Sequence, residues 1–128
     1  MIVAGIGCRK GLTAQAIMRA IGQALAQHGL TATAIDRIAT GEMKKSEPGI
    51  LLSAQELNVP LQIVGDDALR SVSARCLTHS QKSVDVTGAA SLSEAAALAV
   101  AGAGARLLGP RFVQDGVTCA LAKSENDA

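Results

Sequence analysis

The sequence has almost no aromatic side chains, which argues against several kinds of partner. Its 128 residues include one Phe and neither Tyr nor Trp. Proteins that hold single-stranded nucleic acid stack the bases on aromatic rings, and this chain offers a single ring. The net charge is only +1, so the chain also lacks the strong positive field that attracts DNA. We therefore expect no nucleic-acid partner.

Metal and disulfide chemistry is poorly represented as well. The three cysteines, Cys8, Cys76 and Cys119, are far apart and form no Cys-x-x-Cys pair. An odd number of scattered cysteines favours free thiols in a reducing compartment over a disulfide framework or a zinc site. No other residue that commonly binds metal stands near His79 at the spacing of a metal-binding motif. We predict no metal site and no resident cofactor.

Long apolar runs are also missing. No stretch of 18 apolar residues occurs, and the chain does not open on a charged-then-apolar leader pattern. We therefore expect a cytoplasmic protein without a membrane partner. The length is typical of one domain, and small apolar residues, alanine above all, are plentiful enough for a packed core. We predict one domain over residues 1–123, followed by a polar tail at 124–128.

The first thirteen residues predict a strand, a glycine-rich turn and the start of a helix. An apolar run from Ile2 indicates a buried strand, and helical spacing begins after Thr13. Glycines in the turn allow φ > 0 and let a ligand approach the backbone, and the helix N-terminus adds partial positive charge. Two adjacent cations in the turn would also favour an anionic partner. The predicted anion-binding residues are Gly5, Gly7, Cys8, Arg9, Lys10 and Gly11.

The glycine spacing differs from the two common phosphate-binding motifs. Gly5-x-Gly7-x-x-x-Gly11 has one residue too many for the dinucleotide fingerprint, and Gly11 is not followed by the Lys-Ser/Thr of a P-loop. Glycine-rich corners also occur in many α/β domains that bind nothing there. A purely structural role for this turn therefore stays open beside the binding role.

Two helices are marked by their end signals. Thr13 predicts the N-cap of a first helix that ends at Gly29, with His28 on its buried face. Pro48 fits the first turn of a second helix, whose predicted apolar face includes Leu51. Both helices follow predicted strands, which indicates an α/β protein.

The later part of the chain combines strands with an irregular segment. Residues 71–87 are polar and predict an irregular flap over the site. Ser91 and Glu94 have capping-box spacing, which predicts a helix from Leu92 onward. Asp115-Gly116 between two apolar runs predicts a hairpin whose last strand returns antiparallel. The remaining predicted strands are 37–41, 61–64 and 106–108.

A second polar loop follows the strand predicted at 37–41. It spans residues 40–49 and carries Thr40, Lys44 and Glu47. In an open α/β sheet, ligands bind beyond the carboxyl ends of the strands, so we expect this loop to lie beside the first one. An ordinary solvated loop is the alternative.

Four segments together resemble the C-terminal domain of the cobalamin biosynthesis protein CbiG and its stand-alone counterpart, CobE. Lys44 precedes Glu47 by three positions, as in the second motif of that family. Arg111 stands where the family often has a lysine, which keeps the charge and changes the geometry. The segments that carry the resemblance are 5–11, 40–50, 91–98 and 116–122.

The resemblance implies a three-layer α/β/α fold, with a mostly parallel sheet and a C-terminal antiparallel hairpin, and a place in cobalamin biosynthesis. Full-length CbiG opens a δ-lactone on cobalt-precorrin-5A and expels a two-carbon fragment as acetaldehyde. The resemblance covers only its last domain. The stand-alone form belongs to the aerobic route, where that lactone chemistry is not expected.

Three functions are therefore open. The first is binding of a polycarboxylate precorrin or corrinoid by scattered cations, with Arg111 and Lys45 joining those of the two loops. The second is lactone hydrolysis, with Glu47 as the candidate catalytic base and the N–H groups near Gly7 to Gly11 as an oxyanion site. The third is docking to other enzymes of the pathway through the mixed-charge loops.

Overall fold

The protein, seen in a computed structural model, is described over residues 1–125; residues 126–128 of the predicted tail lie outside the described part. Its six strands are β1 Ile2–Cys8, β2 Arg37–Gly41, β3 Leu61–Val64, β4 Arg106–Leu107, β5 Phe112–Gln114 and β6 Val117–Lys123. Its five α-helices are α1 Ala14–Ala26, α2 Pro48–Leu57, α3 Asp66–Ser71, α4 Gln81–Thr87 and α5 Leu92–Ala101. Short 3₁₀ turns occupy Ala32–Ala34, Glu42–Lys44 and Ser73–Arg75.

All six described strands join one sheet in the order β3-β2-β1-β6-β4, with β5 also paired to β6. The pairs β1–β2 and β2–β3 are parallel, whereas β6 is antiparallel to β1, β4 and β5. Five strands therefore run one way and β6 alone is reversed. Asp115 and Gly116 make the turn between β5 and β6 with φ of 52° and 82°, as a two-residue hairpin requires. The predicted mostly parallel sheet with a C-terminal antiparallel hairpin is confirmed.

Helices cover both faces of the sheet and create two apolar cores. Helices α1 and α2 pack on one face, around buried residues such as Ile17 and Ile38. Helices α3 and α5 pack on the other, where α5 contributes mostly alanine. The central strands β1 and β6 are buried on both faces, which explains their nearly continuous apolar runs. This is the predicted three-layer α/β/α arrangement.

The prediction that Gly5 and Gly7 belong to a glycine-rich turn after the first strand is wrong. Strand β1 continues through both residues, and neither has a positive φ. A Cβ on Gly5 would collide with the Ser93 carbonyl of α5, so this glycine lets the helix backbone approach the sheet closely. Among the three glycines only Gly11 has left-handed backbone geometry, with φ of 79°. Gly5 was predicted to make a turn, whereas it is a glycine because helix α5 packs too closely for a side chain.

The end signals of the first helix are confirmed, but two residues predicted to lie on buried helix faces, His28 and Leu51, are exposed. Thr13 Oγ1 accepts a hydrogen bond from the Ala16 amide at 3.1 Å, and Gly29 has φ of 69° just after the helix. His28 is exposed because it lies beyond the end of α1, where the buried stripe has already turned away. Leu51 is 47% exposed, because α2 turns its neighbour Ile50 toward the sheet instead.

The predicted irregular flap at 71–87 is wrong in its structure. It contains the 3₁₀ turn Ser73–Arg75 and the helix α4. Ser80 caps α4, with its Oγ accepting a hydrogen bond from the Ser83 amide at 3.3 Å. The helix is short and polar, so its periodicity is too weak to stand out in the sequence.

Across residues 1–125, no single helix has both the length and the apolar character to cross a membrane. The pair α4 and α5, bent by 58° at the break between them, meets that test by length and composition alone.

Candidate ligand-binding site

A cleft of about 460 Å³ lies where β1 and β2 end, between their following loops, helix α4 and the β5–β6 hairpin. Loops after parallel strands meet at this edge, so residues distant in sequence converge here. The lining residues are Gly7, Cys8, Arg9, Lys10, Met43, Lys44, Ser80, Lys82, Ser83, Val86, Thr87, Leu92, Arg111, Gly116 and Thr118.

The charge in this cleft is of one sign. Among the described lining residues there is no Asp or Glu. Cations on both sides of one partly enclosed cavity repel one another, and that repulsion is relieved by an anion between them. The cationic side chains are Arg9, Lys10, Lys44, Lys82 and Arg111.

The rest of the wall is apolar with a few hydroxyl groups. Met43, Val86 and Leu92 supply apolar surface, and Met43 is 53% exposed although it is a large hydrophobic residue. Ser83 Oγ is buried and finds no hydrogen-bond partner among the described residues. A buried hydroxyl of this kind is costly unless a ligand or water satisfies it. The cleft therefore offers an apolar surface and surrounding cations, with one buried, unpaired hydroxyl group in its wall.

The two loops predicted to share an edge are in direct contact. The Gly11 amide donates a hydrogen bond to Glu47 Oε2 at 3.2 Å. The Arg9 amide donates to the Gly116 carbonyl at 3.0 Å, which ties the first loop to the hairpin as well. Two amides of the predicted oxyanion site are thus already engaged within the protein. The cleft therefore presents the side chains of this loop more than its backbone N–H groups.

Six of the predicted site residues line the cleft and five, including Lys45, do not. Thr40 is fully buried, and its Oγ1 donates to the Ile6 carbonyl at 2.7 Å, so it joins β2 to β1. Glu47 and Gly11 hold the two loops together from outside the lining, and Gly5 lies beneath α5. The predicted residues that line the cleft are Gly7, Cys8, Arg9, Lys10, Lys44 and Arg111.

Sequence reasoning missed the wall formed by α4. This helix brings Lys82, Ser83, Val86 and Thr87 to the cleft. The prediction placed residues 71–87 over the site but described them as irregular, and it missed the helix α4 within them. The one available signal was Ser80, an N-cap residue type just before Gln81.

Burial raises the pKa of the Cys8 thiol, Lys44 lowers it by a smaller amount, and Glu47 raises it slightly. The net shift is upward, so the thiol stays protonated near neutral pH and is a poor nucleophile. Within residues 1–125 no group of three or more His, Cys, Asp or Glu side chains is arranged to hold a metal ion.

The predicted capping box at the start of α5 is wrong. Ser91 begins the helix without a capping hydrogen bond from its side chain. The Glu94 carboxylate instead accepts hydrogen bonds from Leu77, Thr78 and Arg111, which come from two different loops. These competing donors are remote in sequence, so the local spacing gave no indication of them.

Residues 2–122 match the family model described as Cobalamin synthesis G C-terminus. The chain belongs to this family. It is 30% identical over 121 residues to Protein CobE from a Sinorhizobium species, which covers 94% of this chain and 79% of that protein. The protein therefore belongs to the cobalamin biosynthesis pathway, as the family resemblance implied.

Solved structures show the same relationship. The crystal structure of CobE, a protein from the cobalamin (vitamin B12) biosynthetic pathway, has 33% identity and a TM-score of 0.93, covering 100% of this chain and 93% of that one. The cobalamin biosynthesis protein chiG from Agrobacterium tumefaciens has 45% identity and a TM-score of 0.79, covering 98% and 100%. A putative cobalamin biosynthesis protein G homolog from Sulfolobus solfataricus shares the fold at 23% identity and a TM-score of 0.74, covering 97% of this chain and 37% of that one.

Proposed function

We propose that this protein binds a polycarboxylate precorrin or corrin intermediate in the cleft between the β1 and β2 loops, α4 and the hairpin. The observation that carries the proposal is the cleft's charge: five cationic side chains and, among its described lining residues, no carboxylate. Intermediates of this pathway present several acetate and propionate groups around one macrocycle. Such a ligand neutralises several separate cations at once, which a single small anion does not do.

The apolar part of the cleft supports the same ligand class. A tetrapyrrole ring presents a broad apolar face, and Met43, Val86 and Leu92 supply apolar surface among the cations. Binding sites for cofactor-like molecules commonly combine such a surface with a few placed polar groups. A simple phosphate or a small dicarboxylate would not cover this apolar surface and would leave it exposed to water. The mixture of surfaces therefore favours a large amphipathic polyanion.

A spectral titration with hydrogenobyrinic acid tests the proposal. We expect saturable changes in the corrin absorption bands at low ionic strength and weaker affinity at high salt, because the Debye length falls from about 10 Å at 0.1 M to about 3 Å at 1 M. A neutral amidated corrinoid serves as the matched ligand, since it keeps the ring and loses the carboxylates. Equal affinity for both ligands, or no spectral change with either, would contradict the proposal.

Lactone hydrolysis has less support from the geometry. Glu47, the candidate base, is engaged with the Gly11 amide and lies outside the cleft lining. Cys8 lines the cleft, but burial raises its thiol pKa. A direct assay is acetaldehyde release from cobalt-precorrin-5A, with the protein alone and then with other enzymes of the pathway. Release by the protein alone would establish the hydrolase; release only in their presence would favour the docking role.

A further inference from the structure

We propose that Glu94 is a positioning residue of the cleft. Its carboxylate fixes the side of the cleft that carries Arg111 (the Arg111 wall) relative to the side formed by α4 (the α4 wall). The inference rests on the proposed function of the cleft. Glu94 is fully buried, and it is a charged residue on a helix whose other buried positions are mainly alanine. Burying a carboxylate is costly, so a purely structural position would be filled more cheaply by an apolar residue.

The hydrogen bonds of Glu94 divide between its two oxygens. Oε1 accepts from the amides of Leu77 at 3.0 Å and Thr78 at 2.8 Å. Oε2 accepts from Thr78 Oγ1 at 3.0 Å and from the Arg111 amide at 2.9 Å. These four donors satisfy the buried charge, and the first turn of α5 favours a negative group as well.

Both anchored segments lead directly into the cleft. Leu77 and Thr78 come just before Ser80, which caps α4 and lines the cleft together with Lys82. Arg111 is held at its own backbone, so the start of its cationic side chain is fixed relative to α4. Neither segment is joined to the other by sheet pairing. The Ser80 amide also donates to the Ala90 carbonyl at 2.7 Å, so α4 has a second anchor, but the Glu94 carboxylate is the group that bonds to both the α4 segment and the Arg111 segment.

The base from which Glu94 acts is rigid. Helix α5 lies against β1 so closely that Gly5 has no room for a side chain beneath Ser93. Leu92, at the start of the same helix, is part of the cleft surface. The start of α5 thus provides apolar cleft surface through Leu92 and, two residues later, the Glu94 carboxylate that accepts hydrogen bonds from both walls. Loss of this acceptor would leave the cations present but less well placed, which lowers affinity without removing a contact to ligand.

The two-oxygen pattern makes Glu94→Gln a selective variant. The amide side chain can keep one oxygen toward the Leu77 and Thr78 amides, and its NH₂ can meet the Thr78 hydroxyl, which can accept. The Arg111 amide can only donate, so it loses its partner. Glu94→Gln is therefore expected to release the Arg111 wall while the α4 wall stays anchored.

The experiment is a double-mutant cycle on hydrogenobyrinic acid affinity, using wild type, Glu94→Gln, Arg111→Ala and the double variant. We expect each single variant to weaken binding about tenfold, and Arg111→Ala to cost no more than about twofold in the Glu94→Gln background, as for residues of one network. Ile21→Val, fully buried in the core on the other face, controls for general loss of stability and should bind like the wild type.

Each outcome decides between the roles. Additive losses, or an equal loss in Ile21→Val, would mean that Glu94 only supports the fold. If Glu94→Gln does not fold, Thr78→Val and Thr78→Ser replace it. Thr78→Val should weaken binding two- to threefold and Thr78→Ser should restore it, whereas equal binding by both would overturn the proposal. Absence of binding by wild type would instead overturn the function of the cleft.

Discussion

The Glu47 carboxylate accepts a hydrogen bond from the Gly11 amide at 3.2 Å, which joins the loop after β1 directly to the loop after β2. The first loop brings Arg9 and Lys10 to the cleft and the second brings Lys44. The contact therefore fixes the relative positions of cations that would otherwise repel one another. Its energy is small, since the bond is exposed, but its position is at the junction of the site.

Glu47→Ala should weaken both the fold and the site slightly. Loss of this exposed hydrogen bond should lower the free energy of unfolding by about 0.5 kcal/mol, at the lower end of the range for such bonds. Affinity for hydrogenobyrinic acid should fall two- to threefold because the loop cations are less well held. Urea denaturation and spectral titration measure the two effects, with exposed Glu42→Ala as the control. A large loss of affinity at unchanged stability would show that Glu47 contacts the ligand itself.

The cations of the cleft should differ in their contributions. Arg9→Ala should weaken binding about tenfold or more, because a charge-assisted hydrogen bond is worth about 1.5–3 kcal/mol. Lys44→Ala should cost less, since lysine offers a point charge on a flexible stem. Lys45 is the adjacent, exposed lysine outside the cleft, so Lys45→Ala should bind like the wild type. In titrations at low and high salt, the affinity differences between the wild type and the Arg9→Ala and Lys44→Ala variants should become smaller as the salt concentration rises. Equal affinities of all four proteins at low salt would contradict the anion site.

The two strand glycines should respond differently to alanine. A Cβ on Gly5 would meet the backbone carbonyl of Ser93, which cannot move without shifting α5. A Cβ on Gly7 would come within 2.7 Å of Thr118 Oγ1, a side-chain atom that can rotate. Gly5→Ala should therefore lower the free energy of unfolding by about 3 kcal/mol, and Gly7→Ala by about 1 kcal/mol or less.

Gly7→Ala should also reduce corrinoid affinity, because its new methyl group lies next to the cleft wall. Thermal or urea unfolding beside a binding titration separates the two losses. The reverse order of stabilities would mean that α5 adapts to Gly5→Ala more easily than this packing suggests.

Thiol alkylation should report occupation of the cleft. Burial raises the pKa of both Cys8 and Cys76, so the thiolate fraction of each is small at neutral pH and their reaction with iodoacetamide should speed up as the pH rises. Cys119, with its pKa raised to about 12 by burial, should stay unmodified in the folded protein.

Hydrogenobyrinic acid should slow the alkylation of Cys8 at least severalfold and leave Cys76, which lies outside the cleft lining, unchanged. Peptide mass mapping after a timed reaction distinguishes the two sites. Equal protection of both cysteines would indicate a general tightening of the protein instead of a ligand in the cleft.

Much of the candidate site was predicted, and the part that was missed has one cause. Arg9, Lys10 and Lys44 were named from their loops and Arg111 from the family resemblance, and all four line the cleft. Glu94 was assigned a local capping role, because its real partners follow or precede it by many residues. Spacing rules describe neighbours within a helical turn, so they cannot find a carboxylate that serves two remote loops.

The sequence by itself determined the features that depend on local physics. Thr13 capped a helix, Asp115 and Gly116 made a hairpin turn, and alternating strand and helix signals required an α/β sheet, because each depends on backbone geometry over a few residues. Only the tertiary structure decided that Gly5 accommodates a helix backbone and that Glu94 faces two loops. Those roles arise from close contacts between residues far apart in the chain, and such contacts exist only once the sheet and its two helical layers have assembled.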